Sequence, residues 1–331
     1  THTHTYIIYI IILVFIELYF IISYLLPLPS EGSQDKSTNS FLFDINKGVM
    51  FIKPKNKTYS FNINNEVKST DYYKYLNIDN KDEFKDYIEQ FFVGLLEGDG
   101  CITVDYISLR KKRVRFFIAL NNLEENRIMI DYLVEYIGGR KAIERDNKYV
   151  IWYASSRTDI KKTLTILDKY PLLTSSKICQ LEFAKLFINN NKYIGLSKLD
   201  FKILRDNKYK IQDEIINGFN NKFELPSYYP TWLSGFIEAE GHFKLIKSPT
   251  NGISTSQFII GQNRDKYILK SILYYFESSS RLTLTHNKSG IDYYKIHLSN
   301  ATVRTKLFDH FNKYPLLGYK NSQYYYWKNN H

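Results

Sequence analysis

The sequence predicts an α+β fold that is built from two similar halves. Residues 92–100 and 233–241 share one pattern, in which an apolar run with small residues four apart ends in an acid and a glycine. Tyr-Pro-Leu-Leu occurs at 170–173 and again at 314–317, and a lysine follows each copy. Matching segments in the same order and at a nearly constant offset predict an internal duplication with a pseudo-two-fold axis.

The first matching pair predicts two helices that pack against each other. An apolar run of this kind favours a helix, and a glycine suits its C-terminal end. Small residues four apart would let the two helices approach closely. Asp99 and Glu240 would then lie side by side at the negative ends of the helix dipoles, where carboxylates repel each other and are disfavoured. A shared divalent cation would relieve this repulsion, so we predict a metal site there.

Two further acids, Glu97 and Glu238, precede this pair by two residues and so point to a different face of each helix. We predict that they accept structural hydrogen bonds and do not bind the metal.

After its motif helix, each half continues into apolar runs that predict antiparallel strands, with one amphipathic helix between them. In the first half the predicted strands are 102–106, 116–121 and 148–153, and the predicted helix is 127–137. In the second half the predicted strands are 243–246, 255–260, 282–285 and 293–298, and the predicted helix is 266–276.

With these motifs the chain resembles the LAGLIDADG homing endonucleases in their single-chain form with two motifs. The resemblance runs from about residue 86 to the C-terminus and includes the run Trp-Leu-Ser-Gly-Phe-Ile-Glu-Ala-Glu-Gly at 232–241. It is strongest to the endonuclease and maturase proteins of group I introns in fungal mitochondrial genes. It implies two αββαββα-type halves, with the motif helices at their interface and the sheets forming a DNA-binding saddle. It also implies a mitochondrial location.

The resemblance implies that the acids bind Mg²⁺ for hydrolysis of DNA phosphodiester bonds. The metal site would comprise Asp99 and Glu240 together with the residues immediately before them, Gly98 and Ala239. In the family, paired acids hold the metals that activate water and stabilise the leaving 3′ oxygen.

Three further residues are implied to be catalytic. Lys177 and Lys320 follow the two Tyr-Pro-Leu-Leu segments, and an ammonium group there would stabilise developing negative charge or help order the attacking water. The alternative for both lysines is an ordinary phosphate contact or a surface position. Gln262 resembles a family residue that positions water, and we expect the shorter Asn121 to be its counterpart in the first half.

Basic residues near the predicted strands are candidate DNA contacts, because the major groove admits a β-ribbon. The alternative is a solvated sheet edge that prevents aggregation. The candidates are Arg110, Lys111, Lys112, Arg113 and Arg115 in the first half, and Lys244 and Lys247 in the second.

Composition narrows the class of protein. The formal net charge of +11 and the pI near 9.2 suit an anionic partner. The abundance of Lys, Asn, Ile and Tyr resembles translation of an AT-rich gene, which by itself raises the basic charge. Two cysteines, Cys101 and Cys179, provide neither a disulfide framework nor the spacing of a cysteine metal site.

We predict four segments along the chain. Residues 1–40 contain an apolar stretch at 6–28, long enough to span a bilayer, which we expect to be exon-derived. The alternative is a membrane anchor that contacts the membrane before processing. Residues 41–81 are expected to be a spacer, and the two halves are expected at 82–220 and 221–331.

The predicted function is that of a monomeric endonuclease that cuts double-stranded DNA at the intronless exon junction. Three alternatives stay open. The chain could be an RNA maturase that binds its own group I intron, a catalytically inactive DNA-binding module, or a membrane protein with a soluble tail.

Overall fold

The computed structural model describes residues 41–44, 49–52, 81–188, 193, 195–247, 254–286 and 290–330. The chain divides into two units, residues 1–65 and 66–331. In the first unit, β1 (Phe41–Asp44) and β2 (Val49–Ile52) form an antiparallel hairpin. The apolar stretch at 6–28 lies outside the described residues. Among the helices that are described, none is long and apolar enough to cross a membrane.

The second unit contains the duplicated elements, which we divide into a first half (81–188) and a second half (229–329). The first half consists of α1 (Lys81–Asp99), β3 (Gly100–Ser108), β4 (Lys111–Asn121), α2 (Glu124–Tyr136), β5 (Arg140–Glu144), β6 (Tyr149–Ala154), α3 (Arg157–Lys169) and α4 (Ser175–Ile188). Two helices, α5 (Lys198–Asp206) and α6 (Gln212–Asn221), connect the halves.

The second half repeats this order of elements. It consists of α7 (Tyr229–Glu240), β7 (His242–Lys247), β8 (Ser254–Asn263), α8 (Lys266–Tyr275), β9 (Leu282–His286), β10 (Asp292–Leu298), α9 (Ala301–Lys313) and α10 (Tyr319–Asn329). Each half ends in two helices, so the expected αββαββα-type unit carries one further helix, α4 in one half and α10 in the other.

The two sheets have the same topology. The strand orders are β3-β4-β6-β5 and β7-β8-β10-β9, and all pairings are antiparallel. One face of each sheet packs against helices, as the alternating burial of β4 shows: Val114, Phe116, Ile118 and Leu120 are buried between more exposed neighbours. The opposite faces carry most of the polar residues. The duplication and the α+β architecture predicted from the sequence are therefore confirmed.

The two halves meet along α1 and α7, which pack with backbone against backbone at Gly94 and Gly235. Two tyrosines add a matched pair of contacts between the halves. The Tyr87 hydroxyl in α1 donates to the Pro315 carbonyl at 2.5 Å, and the Tyr228 hydroxyl before α7 donates to the Pro171 carbonyl at 2.5 Å. Each tyrosine therefore binds the Tyr-Pro-Leu-Leu segment of the opposite half, as a two-fold axis requires.

Candidate metal and catalytic site

The two motif helices end at the predicted acids, since Asp99 is the last residue of α1 and Glu240 the last of α7. The glycine after each acid is required for space. A Cβ on Gly100 would lie 2.4 Å from the Leu96 carbonyl oxygen, and one on Gly241 would lie 2.6 Å from a side-chain carbon of Ile237. Gly241 is extended, with a φ of −70°, so its role is not to supply a left-handed conformation.

The helix ends lie in direct contact. A Cβ on Gly98 would lie 2.2 Å from the Ala239 Cβ and 3.2 Å from the Glu240 Cγ. Because successive α-carbons are 3.8 Å apart, the α-carbon of Asp99 lies within about 9 Å of the Glu240 Cγ. The acids are thus neighbours although they are far apart along the chain. Gly98 and Ala239 form the contact that brings them together.

The site around Glu240 is partly buried and positively charged. Burial raises the pKa of Glu240, while the ammonium groups of Lys177 and Lys320 lower it. The two lysines come from different halves. Both are therefore close enough to act on the same carboxylate, beside the junction of α1 and α7.

The donor set fits a divalent cation. Glu240 is penalised by burial, and a cation shared with the exposed Asp99 would offset that penalty. Carboxylate oxygens are hard ligands of the type that Mg²⁺ uses. No group of three or more His, Cys, Asp or Glu residues is clustered for metal binding among the described residues. That Gly98 and Ala239 also belong to the metal site stays a prediction.

Glu97 accepts hydrogen bonds at the start of the lysine-bearing helix α4. Its carboxylate accepts from the Leu173 N–H at 2.9 and 3.0 Å and from the Thr174 N–H. The Trp232 indole N–H of the other half also donates to it, at 2.8 Å. Burial raises the pKa of Glu97, and these donors act in the opposite direction.

Glu238 makes the equivalent contacts in the second half. Its carboxylate accepts from the N–H groups of Leu317, Gly318 and Lys320 at 3.2, 3.1 and 3.0 Å. These groups begin α10. Both first acids of the motifs are therefore structural acceptors, as predicted, and they fix the helices that carry Lys177 and Lys320.

Gln262 lies on the helix-covered face of its sheet. Alternation along β8 places it on the same face as Phe258 and Ile260, which are fully buried. Its Oε1 accepts from the Asn263 N–H at 3.3 Å. Its role in positioning water stays a prediction.

The predicted counterpart of Gln262 is wrong. Asn121 lies opposite Tyr149, and Asn263 lies opposite Tyr293, so the ladders match Asn121 with Asn263. The residue equivalent to Gln262 is Leu120. The cause is one additional residue in the β7–β8 hairpin between the motif glycine and its cross-strand partner, and an offset counted from the acids cannot detect it.

The basic candidates of the first half differ in their surroundings. Arg110 and Lys111 are exposed at the β3–β4 turn. Arg113 and Arg115 both pair with Asp105, at 3.0 and 2.9 Å. Arg113, Arg115 and Asp105 all lie on the sheet face that is turned away from the helices.

The contacts of Lys112 contradict its predicted role in DNA binding. Its Nζ donates to the carbonyl groups of Leu109 at 2.7 Å, Leu196 at 3.1 Å and Tyr193 at 3.4 Å. Its side chain belongs to the helix-covered face because it alternates with Arg113. Lys112 therefore attaches the hairpin to the segment before α5, and it is held away from the outward face.

In the second half, Lys244 is exposed and lies opposite Gln257 on the outward face of the sheet. Lys247 ends β7, and its side chain lies outside the described residues. Among the described basic candidates, four are exposed: Arg110, Lys111, Arg113 and Lys244.

Tyr293 also lies near the site, although no sequence motif marks it. Its pKa is raised first by burial and then by the nearby Glu240 carboxylate. Its hydroxyl occupies the space beside Gly261, where a Cβ would lie 2.2 Å away. The chain contains 29 tyrosines, and no spacing distinguishes this one. By contrast, Tyr87 and Tyr228 each precede a matched motif glycine by seven residues. This repeated spacing could have been recognised in the sequence.

Comparison with known proteins agrees with this geometry. The family model described as LAGLIDADG endonuclease matches residues 92–187 and 233–331, which include both motif helix ends and both lysines. The chain belongs to the LAGLIDADG endonuclease family. The two matched ranges correspond to the two copies of the duplicated elements.

Two relatives of this LAGLIDADG chain are named probable intron-encoded endonuclease aI3. The one from Dictyostelium citrinum is 32% identical over 246 residues, covering 73% of this chain and 94% of that protein. The one from Debaryomyces hansenii is 31% identical over 291 residues, covering 80% of this chain. The chain spans only 39% of the length of the Debaryomyces protein.

Solved LAGLIDADG structures share the fold. The meganuclease I-AabMI bound to uncleaved DNA is 25% identical with a TM-score of 0.54, and the match covers 71% of this chain and 86% of that one. The homing endonuclease I-GzeII in complex with its DNA target has a TM-score of 0.57 at 21% identity, and the match covers 73% and 88%. The LAGLIDADG fold is thus shown for the second unit.

Proposed function

We propose that this chain is a site-specific endonuclease that hydrolyses both strands of a DNA duplex, using Mg²⁺ held by Asp99 and Glu240. The observation that carries the proposal is the contact between the two motif helix ends, where a Cβ on Gly98 would lie 2.2 Å from the Ala239 Cβ and 3.2 Å from the Glu240 Cγ. Lys177 and Lys320, one from each half, are near enough to lower the pKa of Glu240. A basic pair beside adjacent acids is suited to a phosphodiester, whose charge increases in the transition state. A bound divalent cation would supply Lewis-acid activation of water and of the phosphate.

The protein residues have separate tasks in this proposal. Asp99 and Glu240 would hold the cation, and Gly98 and Ala239 would complete the metal site and keep the two helix ends in contact. Lys177 and Lys320 would each stabilise the negative charge that develops on one scissile phosphate. Gln262 would help to position the attacking water.

DNA would bind across the outward faces of the two sheets. Arg110, Lys111 and Lys244 would contact phosphates directly, and Arg113 and Arg115 would do so after partial release from Asp105. We propose that the half at residues 82–220 provides one of these faces and that the half at 221–331 provides the other. One chain carries both acids, so a monomer would be sufficient.

The relatives are named as intron-encoded endonucleases, and I-AabMI was solved bound to uncleaved DNA. We therefore propose the intronless exon junction as the target. A mitochondrial location is proposed from the resemblance to mitochondrial intron proteins. Intact acids at both motif ends favour cleavage over RNA binding alone, because a maturase needs neither acid.

The test uses the full chain and a DNA duplex that spans the intronless exon junction, with a scrambled duplex as control. Wild-type protein with Mg²⁺ should cut both strands of the junction only, and chelation by EDTA should stop cleavage. Asp99→Asn and Glu240→Gln should each reduce the rate by at least about 100-fold with DNA binding retained. The matched control Glu182→Gln, at an exposed carboxylate in α4, should cut normally. Binding of the junction by wild-type protein without any cleavage would refute the proposal.

A further inference from the structure

The helix that carries Lys177 is capped by a carboxylate from the opposite half. Asp265, the residue before α8, accepts from the Ser175 N–H at 2.9 Å and also from the Ser175 hydroxyl. Asp265 is 1% exposed, so water does not compete for its oxygens. Ser175 is the first residue of α4, and Lys177 follows in the same turn.

The helix that carries Lys320 is capped in the same way from the first half. The Asn126 Oδ1 in α2 accepts from the Tyr319 N–H at 2.9 Å. The other end of the Asn126 amide donates to the Asn121 carbonyl at 3.0 Å, which fixes the orientation of the side chain. Tyr319 is the first residue of α10, and Lys320 is the next.

In each helix, the donors at the start are divided between the halves. In α4, Glu97 of the same half accepts from residues 173 and 174, and Asp265 of the other half accepts from Ser175. In α10, Glu238 accepts from residues 317, 318 and 320. Asn126 of the other half accepts from Tyr319 between them. A helix start is fixed by such acceptors because its first N–H groups have no partner within the helix.

We propose that Asp265 and Asn126 are positioning residues that hold the lysine of the opposite half, so that Asp265 sets the place of Lys177 and Asn126 that of Lys320. The inference rests on the proposed nuclease function. Each half then supplies one lysine and the cap that orients the other. Cleavage of either strand depends on both halves, and a defect in one cap has its main effect on one strand.

The first experiment measures each strand separately in single-turnover cleavage of a duplex labelled on both strands. Lys177→Met and Lys320→Met identify the strand that each lysine serves. Asp265→Ala should slow the strand that Lys177→Met slows, and Asn126→Ala should slow the strand that Lys320→Met slows, each on the order of 10-fold. Asn126→Asp keeps the acceptor but loses the donor to the Asn121 carbonyl, so its rate should fall between those of wild type and Asn126→Ala.

A double-variant cycle separates positioning from general weakening. Asp265→Ala should cause no further loss in the Lys177→Met background, because the lysine that it positions is already absent. In the Lys320→Met background, Asp265→Ala should still slow the strand that Lys177 serves. Equal slowing of both strands, or fully additive losses in both backgrounds, would overturn the inference.

The second experiment does not depend on cleavage. Amide hydrogen exchange should increase at 173–180 but not at 317–324 in Asp265→Ala, and the reverse should hold in Asn126→Ala. Asp265→Leu, which is close in size but has no acceptor oxygen, replaces Asp265→Ala if the alanine variant does not fold. An inactive wild-type protein would refute the proposed function and leave the exchange test of the caps in force. An active wild type with unchanged local exchange would refute the inference alone.

Discussion

Gly94 and Gly235 occupy equivalent positions in the two motif helices, and each faces the backbone of the other helix. A Cβ on Gly94 would lie 1.9 Å from the Trp232 carbonyl oxygen, and a Cβ on Gly235 would lie 1.9 Å from the Phe91 carbonyl oxygen. Backbone atoms cannot turn aside as a flexible side chain can. The close approach of α1 and α7, which brings Asp99 to Glu240, therefore requires glycine at both positions.

Alanine at either glycine should separate the helices. We expect Gly94→Ala and Gly235→Ala each to lower the free energy of unfolding by at least about 3 kcal/mol, because the added methyl overlaps backbone in a packed core. Gly218→Ala is the matched control, since Gly218 lies in α6 with nothing near its absent Cβ. That change should be neutral or stabilising by up to about 1 kcal/mol. Denaturant unfolding measures all three, and similar effects at the three sites would contradict the account.

The buried glutamates should be needed for stability as well as for lysine placement. Glu97→Gln and Glu238→Gln each replace an acceptor oxygen by an NH₂ group that faces N–H donors. We expect a loss of about 2–4 kcal/mol in the free energy of unfolding for each variant. Glu182→Gln, which removes one partner of an exposed pair with Lys185, should change it by less than about 0.5 kcal/mol. Losses at Glu97 and Glu238 no larger than this control would show that the caps are dispensable.

Alanine substitution of two lysines should have different effects, one on stability and the other on DNA affinity. Lys112→Ala removes the donor to three carbonyl groups, so we expect it to destabilise the protein by about 1–2 kcal/mol and to leave the salt dependence of DNA binding unchanged. Lys244→Ala should leave stability unchanged and reduce the salt slope of binding by about 1, as loss of one phosphate contact does. Binding titrations at several salt concentrations measure the salt slope of each variant. A lower slope for Lys112→Ala with an unchanged slope for Lys244→Ala would show that Lys112 is the residue that contacts DNA.

Because His310 is buried, we expect it to cause part of the loss of folding stability at low pH. Burial lowers its pKa from 6.5 to about 3, and its ring contacts the Ser234 hydroxyl at 3.0 Å and the Tyr275 hydroxyl at 3.1 Å. The folded state thus holds the histidine neutral, whereas the unfolded state protonates it below about pH 6.5. The stability that this group contributes is complete above that pH and is lost as the pH falls towards 3.

His310→Gln removes this contribution and should therefore flatten the pH profile. We expect the stability difference between wild type and variant to shrink by about 2 kcal/mol between pH 7 and pH 5. Comparing the two proteins at each pH is necessary, because Asp265, whose pKa burial raises to about 6, changes stability in the opposite direction over this range. Parallel profiles for wild type and variant would mean that His310 is not held neutral.

Much of the fold was readable from the sequence because it is duplicated. The two motifs, the Tyr-Pro-Leu-Leu segments and seven of the eight strands in the two sheets lie where their patterns predict, whereas β5 (Arg140–Glu144) was not predicted. Helix 266–276 was predicted within one residue of α8. The ends of the motif helices were predicted to meet through the small residues before the acids, and the contact of Gly98 with Ala239 and Glu240 confirms this.

The features that could not be predicted from the sequence depend on strand register and on hydrogen bonds between residues far apart in the chain. Asn121 was matched to the wrong residue because one hairpin is longer by one residue, which only the strand pairing reveals. Lys112 was grouped with its basic neighbours although alternation places it on the other face. The caps from Asp265 and Asn126 join residues far apart in the sequence, and no local pattern encodes such a contact.

A metal site shared by Asp99 and Glu240 can be tested by a crystal structure of the wild-type protein with its DNA target and Mn²⁺ in place of Mg²⁺. Anomalous scattering would locate the ions. We expect manganese at the paired ends of α1 and α7, bound by carboxylate oxygens of both Asp99 and Glu240, with Lys177 and Lys320 beside the two scissile phosphates. Manganese bound away from these helix ends, or to only one of the two acids, would contradict this expectation.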